Sequence, residues 1–173
     1  FGRVRRDFWP AFYFGSGPTA YDASGHDGAQ AALNELLQVF AQQTPKQGHV
    51  DFVGAGPGDP TLLTHKARLL LDEADVVLYD RLVDPRILEL ARREALVIEV
   101  GKTGFGPSMA QNEINQLIID HVGRGVQVVR LKSGDPSVFG RLDEELEAIA
   151  AHDISYSIVP GITAASAAAA SLG

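Results

Sequence analysis

The chain has 173 residues, 45% of them hydrophobic, which suits one globular domain with a short additional segment. It contains no cysteine, which excludes disulfide scaffolds, cysteine metal sites and thiol catalysis, and it has no apolar run of about eighteen residues. The net charge of −7 argues against a general nucleic-acid-binding protein, whereas local clusters of Lys and Arg remain compatible with an acidic small substrate.

Residues 1–47 show no alternation of strand and helix patterns. A basic, aromatic stretch at 3–9 is followed by Gly-Ser-Gly-Pro at 15–18, which predicts a break in the chain. Four apolar residues then recur at helical spacing and predict one amphipathic helix before Pro45. They are Leu33, Leu36, Leu37 and Phe40. We interpret this region as the end of an upstream domain followed by a linker.

From residue 48 onward, short apolar segments alternate with helical patterns. The predicted strands lie at 50–53, 75–79, 96–100, 126–131 and 155–159. Two of the helical segments begin with an acidic N-cap before a proline, at Asp59-Pro60 and at Asp84-Pro85. The alternation predicts an α/β fold whose five-stranded, mainly parallel sheet carries helices on both faces.

Segment 109–122 has the clearest helical pattern in the sequence. Ser108 and Gln111 fit a capping box at its start, and Gly123 and Gly125 are expected to end it. Its apolar face consists of Ile114, Leu117, Ile118, His121 and Val122. We interpret the histidine on this face as a packed, hydrogen-bonded residue. The five histidines of the chain show no metal-ligand spacing, so no metal site is predicted.

All strands of a parallel sheet end at the same edge, and ligands bind beyond those carboxyl ends. Each predicted strand is followed by a loop that is rich in glycine or in charged residues. The loops are 54–59, 80–81, 101–102, 132–136 and 160–163. Their convergence predicts a small-molecule site at this edge of the sheet.

The loop at 54–59 contains three glycines, which allow the backbone to approach a ligand closely. It departs from the dinucleotide-binding motif G-x-G-x-x-G because Asp59 occupies the third small position. Pro57 also removes one backbone donor. The loop therefore favours a neutral or cationic ligand over a diphosphate.

Six segments, in this order, resemble the tetrapyrrole methylase family. They are VGAGPGD at 53–59, YDRLV at 79–83, GK at 101–102, RLKSGDP at 130–136, FGR at 139–141 and VPGITAAS at 159–166. The resemblance covers residues 48–173. It implies the first of two α/β domains, with S-adenosylmethionine bound in the cleft between them. Because the sequence stops at Gly173, the second domain is expected to be absent.

Residues 5–9 resemble the end of the dehydrogenase–ferrochelatase module that precedes the methylase in bifunctional siroheme synthases. Residues 1–47 are therefore expected to be the tail of that NAD-dependent module plus a linker, and residues 48–173 the first methylase domain. The resemblance also implies a cytoplasmic protein that is a homodimer when intact, with no nucleic-acid or membrane partner.

The resemblance implies that S-adenosylmethionine contacts residues of three loops. These residues are Pro57, Ser133, Gly134, Asp135, Val138, Thr163 and Ala164. The sequence departs from the family pattern at two places. Ser133 replaces a glycine of the usual Gly-Gly-Asp-Pro loop, and Ser137 stands where a bulky apolar residue is more common. Both changes are expected to alter the local geometry of the cofactor site.

Family roles make Asp80 the proton acceptor and Lys102 the proton donor. A lysine donates a proton poorly at neutral pH, so we interpret Lys102 as a partner of a substrate carboxylate. The acidic tetrapyrrole also requires local positive charge, for which Arg81, Lys132 and Arg141 are the candidates.

The function implied is S-adenosylmethionine-dependent methylation of uroporphyrinogen III at carbons 2 and 7, giving precorrin-2 for siroheme or cobalamin synthesis. Two alternatives remain open. One is another member of the same superfamily, such as a later precorrin methyltransferase or diphthine synthase. The other is a ligand-binding domain that has the fold without the chemistry.

Overall fold

The computed structural model describes residues 2–42, 48–101 and 109–173, with only the backbone of residues 2–6. The chain divides into two units, Phe1–Pro45 and Lys46–Gly173. Within the described segments, no helix has both the length and the apolar character that crossing a membrane requires.

The first unit is helical throughout its described residues. Helix α1 (Gly2–Ala11) continues through one π-helical turn (Phe12–Ser16) into α2 (Gly17–Gln42). The predicted amphipathic helix is the second half of α2, which is bent at Ser24 and Gly25. The predicted break at 15–18 is a kink at Gly15, whose φ of −122° and ψ of −110° are not helical, and α2 begins two residues later.

The second unit contains a five-stranded sheet in which every pairing is parallel. The strands are β1 (His49–Gly54), β2 (Val76–Tyr79), β3 (Leu96–Glu99), β4 (Gln127–Lys132) and β5 (Ser155–Val159). Their spatial order is β3-β2-β4-β1-β5. The predicted fold class is confirmed, and each strand bound lies within one residue of its predicted position.

Five helices alternate with these strands. They are α3 (His65–Glu73), α4 (Pro85–Leu88), α5 (Gln111–Gly123), α6 (Leu142–Ala150) and α7 (Ala164–Leu172). Asp84 caps α4 as predicted, because its carboxylate accepts the Arg86 amide at 2.9 Å. Asp59 caps only a short 3₁₀ turn (Pro60–Leu62), and α3 begins later, at a Thr64 cap. Leu63, which follows the 3₁₀ turn, has extended backbone angles, and this residue separates the turn from α3.

Helix α5 begins two residues later than predicted. Ala110 is its N-cap, and the Glu113 carboxylate accepts the Ala110 amide at 2.7 Å. A carboxylate at this position satisfies one of the free amides of the first turn. Ser108, which we predicted as the cap, lies outside the described residues.

Each face of the sheet has its own apolar core. On one face, Phe52 and Val128 pack with residues of α5 and α6, including Ile118 and Ile149. On the other, Val77 and Val129 pack with residues of α3 and α4. Successive strand residues point to opposite faces, so β1, β2 and β4 supply residues to both cores.

The strand order places a topological switch point between β1 and β4. The chain leaves β1 through α3 towards β2, on one face, and it leaves β4 through α6 towards β5, on the other face. The two connections therefore diverge and leave a crevice beyond the carboxyl ends of these two strands. Crevices of this kind are where open α/β sheets bind ligands.

Candidate active site at the carboxyl edge of the sheet

The loops that follow β1 and β4 are joined across the switch point by backbone hydrogen bonds. The Gly56 amide donates to the Gly134 carbonyl at 3.1 Å, and the Gly134 amide donates to the Gly56 carbonyl at 2.9 Å. Both glycines have positive φ, +67° and +68°, which a residue with a side chain adopts at a cost. Sequence reasoning placed both loops at this edge but did not foresee that they pair.

The loop after β5 reaches the same point through two further glycines. A Cβ atom added to Gly161 would lie 2.1 Å from the Gly134 carbonyl oxygen, and one added to Gly54 would lie 2.5 Å from the Gly161 nitrogen. Neither distance is sterically possible. The three loops therefore meet through bare backbone, and glycine is required for packing at Gly54 and Gly161.

Asp135 ties two of these loops together. Its Oδ1 accepts the Ser137 amide at 2.8 Å, and its Oδ2 accepts the Gly161 amide at 3.0 Å. Both of its oxygens therefore hold the backbone of the site.

The other predicted cofactor residues surround this meeting point. Thr163 caps α7, since its Oγ1 accepts the Ser166 amide at 3.2 Å, and Ala164 follows as the first, exposed residue of that helix. Pro57 and Ser133 are half-buried within the first and fourth loops. Val138 is 44% exposed. All five lie on the three loops that meet at this point or at their ends.

Asp80 follows β2 directly and belongs to a cluster of four charged residues. Arg130 Nη2 donates to Asp80 Oδ1 at 2.6 Å, and Arg130 Nε donates to Glu145 Oε1 at 2.8 Å. Lys132 Nζ donates to Glu145 Oε2 at 2.6 Å. Asp80 is the most exposed of the four, with 30% of its side chain accessible, whereas the others are almost completely buried.

Lys132 was predicted to hold a substrate carboxylate, and the structure corrects that prediction. Its side chain is only 4% exposed and is paired with Glu145. Burial and the nearby Arg130 lower the pKa of the Lys132 ammonium, although Glu145 favours the charged form. Alternate residues of a strand share a face, so Lys132 lies beside Arg130 beneath α6, away from solvent.

The two predicted arginines are exposed. Arg81 lies against the third loop, where a Cβ atom added to Gly101 would lie 2.3 Å from the Arg81 nitrogen. Arg141 has a positive φ of +50° and forms two hydrogen bonds to Glu144, at 2.8 and 2.9 Å. Phe139, also at positive φ, is fully exposed between the fourth loop and Arg141. Lys102, the remaining predicted residue, lies outside the described residues.

Arg130 and Glu145 are the residues that sequence reasoning missed. Arg130 stands in the middle of a strand whose neighbours are all buried, and Glu145 stands on the inner face of an amphipathic helix. The sequence contained one signal for them: each is a charged residue at a core position of its strand or helix. A buried charge requires a partner of opposite charge. Across the described ranges, no three metal-ligating side chains are grouped closely enough to hold a metal ion.

Comparison with known proteins shows which family shares this sequence and fold. The family model of Tetrapyrrole (Corrin/Porphyrin) Methylases matches residues 49–173. A siroheme synthase from Pseudomonas putida (strain F1) is 48% identical over 168 residues, which are 96% of this chain and 35% of the relative. The chain thus spans about a third of the curated relatives that it matches.

Two solved structures share the fold. Uroporphyrin-III C-methyltransferase from Thermus thermophilus, complexed with S-adenosylhomocysteine, has a TM-score of 0.61 and 48% identity, over 70% of this chain and 48% of that one. A cobalt precorrin-4 methyltransferase has a TM-score of 0.65 and 35% identity, over 71% and 49%. The predicted resemblance is confirmed: the chain belongs to the tetrapyrrole methylase family.

Proposed function

We propose that this chain forms the S-adenosylmethionine-binding part of an enzyme that methylates uroporphyrinogen III at carbons 2 and 7, giving precorrin-2 for siroheme synthesis. The observation that carries the proposal is the convergence of three glycine loops at the switch point, with the Asp80 carboxylate at the same edge. Family membership and the methyltransferase with bound S-adenosylhomocysteine support it.

The residues present fit this cofactor. A Cβ atom added to Gly134 would meet nothing nearer than 3.9 Å, and one added to Gly56 nothing nearer than 3.7 Å. A ligand can therefore approach the backbone closely beside both residues. Half-buried Ser133, the Thr163 loop and the apolar Val138 then offer both polar and apolar contacts to a nucleoside. When bound, S-adenosylmethionine supplies a methyl group that carries electrophilic character.

The chain's own residues would handle the proton and the substrate charge. A bond forms between the pyrrole carbon and the methyl group as the carbon–sulfur bond breaks, and the macrocycle loses one proton. Asp80 accepts that proton in our proposal. Arg81 and Arg141, both exposed at the same edge, bind substrate carboxylates, and we keep Lys102 as a third cation for this role.

We further propose that residues 1–47 are the end of an upstream dehydrogenase–ferrochelatase module with its linker. The match to siroheme synthase extends over 96% of the chain and therefore includes most of this region. Residues 48–173 would be the first of two methylase domains, because they correspond to about half of each methyltransferase structure. A cytoplasmic homodimer is part of the same proposal.

A later precorrin methyltransferase is the second candidate. The 35% identity to a cobalt precorrin-4 methyltransferase favours it, although the match to siroheme synthase is stronger. A panel of uroporphyrinogen III, precorrin-2 and later precorrins, each offered with labelled S-adenosylmethionine, decides between them. Label entering uroporphyrinogen III alone supports the first candidate, and label entering only a later precorrin rejects it.

The cofactor site is tested by calorimetric titration of the full open-reading-frame product with S-adenosylmethionine. Val138→Lys puts a cation at the half-exposed position beside the fourth loop, so affinity for this sulfonium should fall by about tenfold or more. Val97→Lys is the matched control, since Val97 is a similarly exposed valine on β3, and its affinity should not change. Equal affinities for the two variants would contradict the proposed site.

A further inference from the structure

Arg130 is a buried cation whose hydrogen bonds extend in two directions. Its side chain is 3% exposed, and each guanidinium nitrogen has an acceptor. Towards helix α6, Nε donates to Glu145, and along its own strand Nη1 donates to the Leu131 carbonyl at 3.3 Å. Towards the open edge, Nη2 donates to Asp80. The guanidinium thus connects the rigid core to a residue of the candidate active site.

The cluster contains two basic and two acidic side chains. Arg130 and Lys132 are two buried cations, and Glu145 is one buried carboxylate that serves both. A buried charge that lacks an opposite charge is strongly unfavourable. The second carboxylate is that of Asp80, which pairs with Arg130 at the edge of the site.

The backbone of Asp80 is held by the same strand that carries Arg130. Its amide donates to the Leu131 carbonyl at 3.1 Å, and its carbonyl accepts the Val83 amide at 2.9 Å. Arg130 occupies Oδ1 of the side chain. Among the residues that the structure describes, no donor is bonded to Oδ2.

We propose that Arg130 is a positioning residue for methyl transfer: anchored by Glu145, its guanidinium fixes the Asp80 carboxylate in the orientation that accepts the macrocycle proton. This inference rests on the proposed function, in which Asp80 is the proton acceptor. Asp80 would remain present without Arg130, but its side chain would no longer be fixed in one orientation. The expected loss is therefore in turnover, not in cofactor binding.

Strand β2 supplies a matched control at its other end. Asp75 precedes the strand and pairs with Arg92, as Asp80 follows it and pairs with Arg130. Arg92 also donates to the Ala74 carbonyl at 2.8 Å, so it too combines an ion pair with a backbone contact. This second pair lies at the amino edge of the sheet, far from the glycine loops along the strand. If the loss of such an ion pair affected only stability, the consequences should be similar at the two ends of β2.

The test compares Arg130→Gln, Arg130→Lys and Arg92→Gln in the full open-reading-frame product. With uroporphyrinogen III and S-adenosylmethionine, Arg130→Gln should lower kcat by about 100-fold, while the KM for the cofactor stays within about twofold. Arg130→Lys, which keeps a cation near Asp80, should recover part of kcat. Arg92→Gln should lower the unfolding temperature without lowering kcat. Unchanged kcat in Arg130→Gln, or an equal loss in Arg92→Gln, would overturn the proposal.

A measurement independent of activity separates this inference from the proposed function. In ¹⁵N-labelled protein, the guanidinium signals of Arg130 should show slow rotation, which Asp80→Asn should accelerate. If this holds but the unaltered protein methylates no tetrapyrrole, the proposed function fails and the Arg130–Asp80 geometry stands. Signals that are indifferent to Asp80→Asn overturn the positioning of Asp80 by Arg130, whatever the enzyme does.

Discussion

At the scale of single residues, Asp80 combines a fixed position with partial exposure. The first three residues of β2 are buried, whereas the side chain of Asp80 is 30% accessible at the open edge. A proton acceptor needs this combination, since it must be both oriented and reachable. The sequence showed an acid at the end of a strand, and the structure adds the buried arginine that holds it.

Replacement of Asp80 by asparagine tests its role directly. The amide has nearly the same shape but cannot accept the macrocycle proton, so methyl transfer by the full open-reading-frame product should fall by about 100-fold or more. Binding of S-adenosylhomocysteine, measured by calorimetry, should be retained because Asp80 is not among the glycine loops. Full activity of Asp80→Asn would remove this residue from the mechanism.

Asp84 gives a prediction for acidic pH. Hydrogen bonds from the Arg86 side chain and amide lower the pKa of this carboxyl from 3.8 to about 2. A carboxyl whose pKa is lower in the folded state stabilises the fold above its unfolded pKa, and this contribution disappears as the pH falls through the folded pKa. The unfolding temperature of Asp84→Asn should therefore be below that of the unaltered chain at about pH 6 and should approach it between about pH 4 and pH 2.

The control for this pH dependence is Asp72→Asn. Asp72 is exposed and lies 4.0 Å from Arg68, in a pair of the kind that contributes little to stability. Its unfolding temperature should follow that of the unaltered chain across the same pH range. A difference at Asp84 that persists at about pH 2 would show that its carboxylate is not the source.

At the scale of elements, the loops after β1, β4 and β5 act as one unit because their backbones touch. Gly161→Ala should destabilise the chain by about 1–3 kcal/mol, since its new Cβ would overlap the Gly134 carbonyl oxygen. Gly123→Ala is the control, because a Cβ at the end of α5 meets nothing within 4 Å. Chemical denaturation measures both, and equal stability of the two variants would show that the loops do not pack as described.

The sheet also has a polar connection between strands. Asp51, 3% exposed on central strand β1, accepts hydrogen bonds from Gln127 on β4 and Ser157 on β5. Asp51→Ala would leave these two donors without their acceptor, so a loss of about 1–3 kcal/mol in the free energy of unfolding is expected. Urea denaturation provides the measurement, and Asp72→Ala on the exposed face of α3 should show no comparable loss.

At the scale of the whole molecule, the division into two units predicts that the second unit folds alone. It contains both apolar cores and the complete five-stranded sheet. A chain that begins at residue 46 should therefore unfold cooperatively, with an unfolding temperature close to that of residues 1–173. Loss of cooperative unfolding on removal of the first 45 residues would contradict this division.

The strands and their common edge were predictable because their signals are local. Short apolar segments between helical patterns identified β1 to β5, and the Asp84-Pro85 cap appeared as expected. The course of the first 42 residues was less predictable. Gly-Ser-Gly-Pro at 15–18 produces the predicted break as a kink at Gly15, but α1 and the first half of α2, on the two sides of it, were not predicted. Local propensity is a weak guide when helices on either side pack together, as Phe8 does against Phe40.

The sequence by itself determined the α/β class, the parallel sheet and the family, because hydrophobic periodicity and short ordered motifs are carried by residues near one another. Only the tertiary structure decided the strand order β3-β2-β4-β1-β5, and hence which loops meet. It also reassigned Lys132 from a substrate contact to a buried ion pair, and it showed that Asp135 joins two loops through their backbone amides. The role of a charge depends on its partners, and residues such as Glu145 become partners only when distant segments pack together.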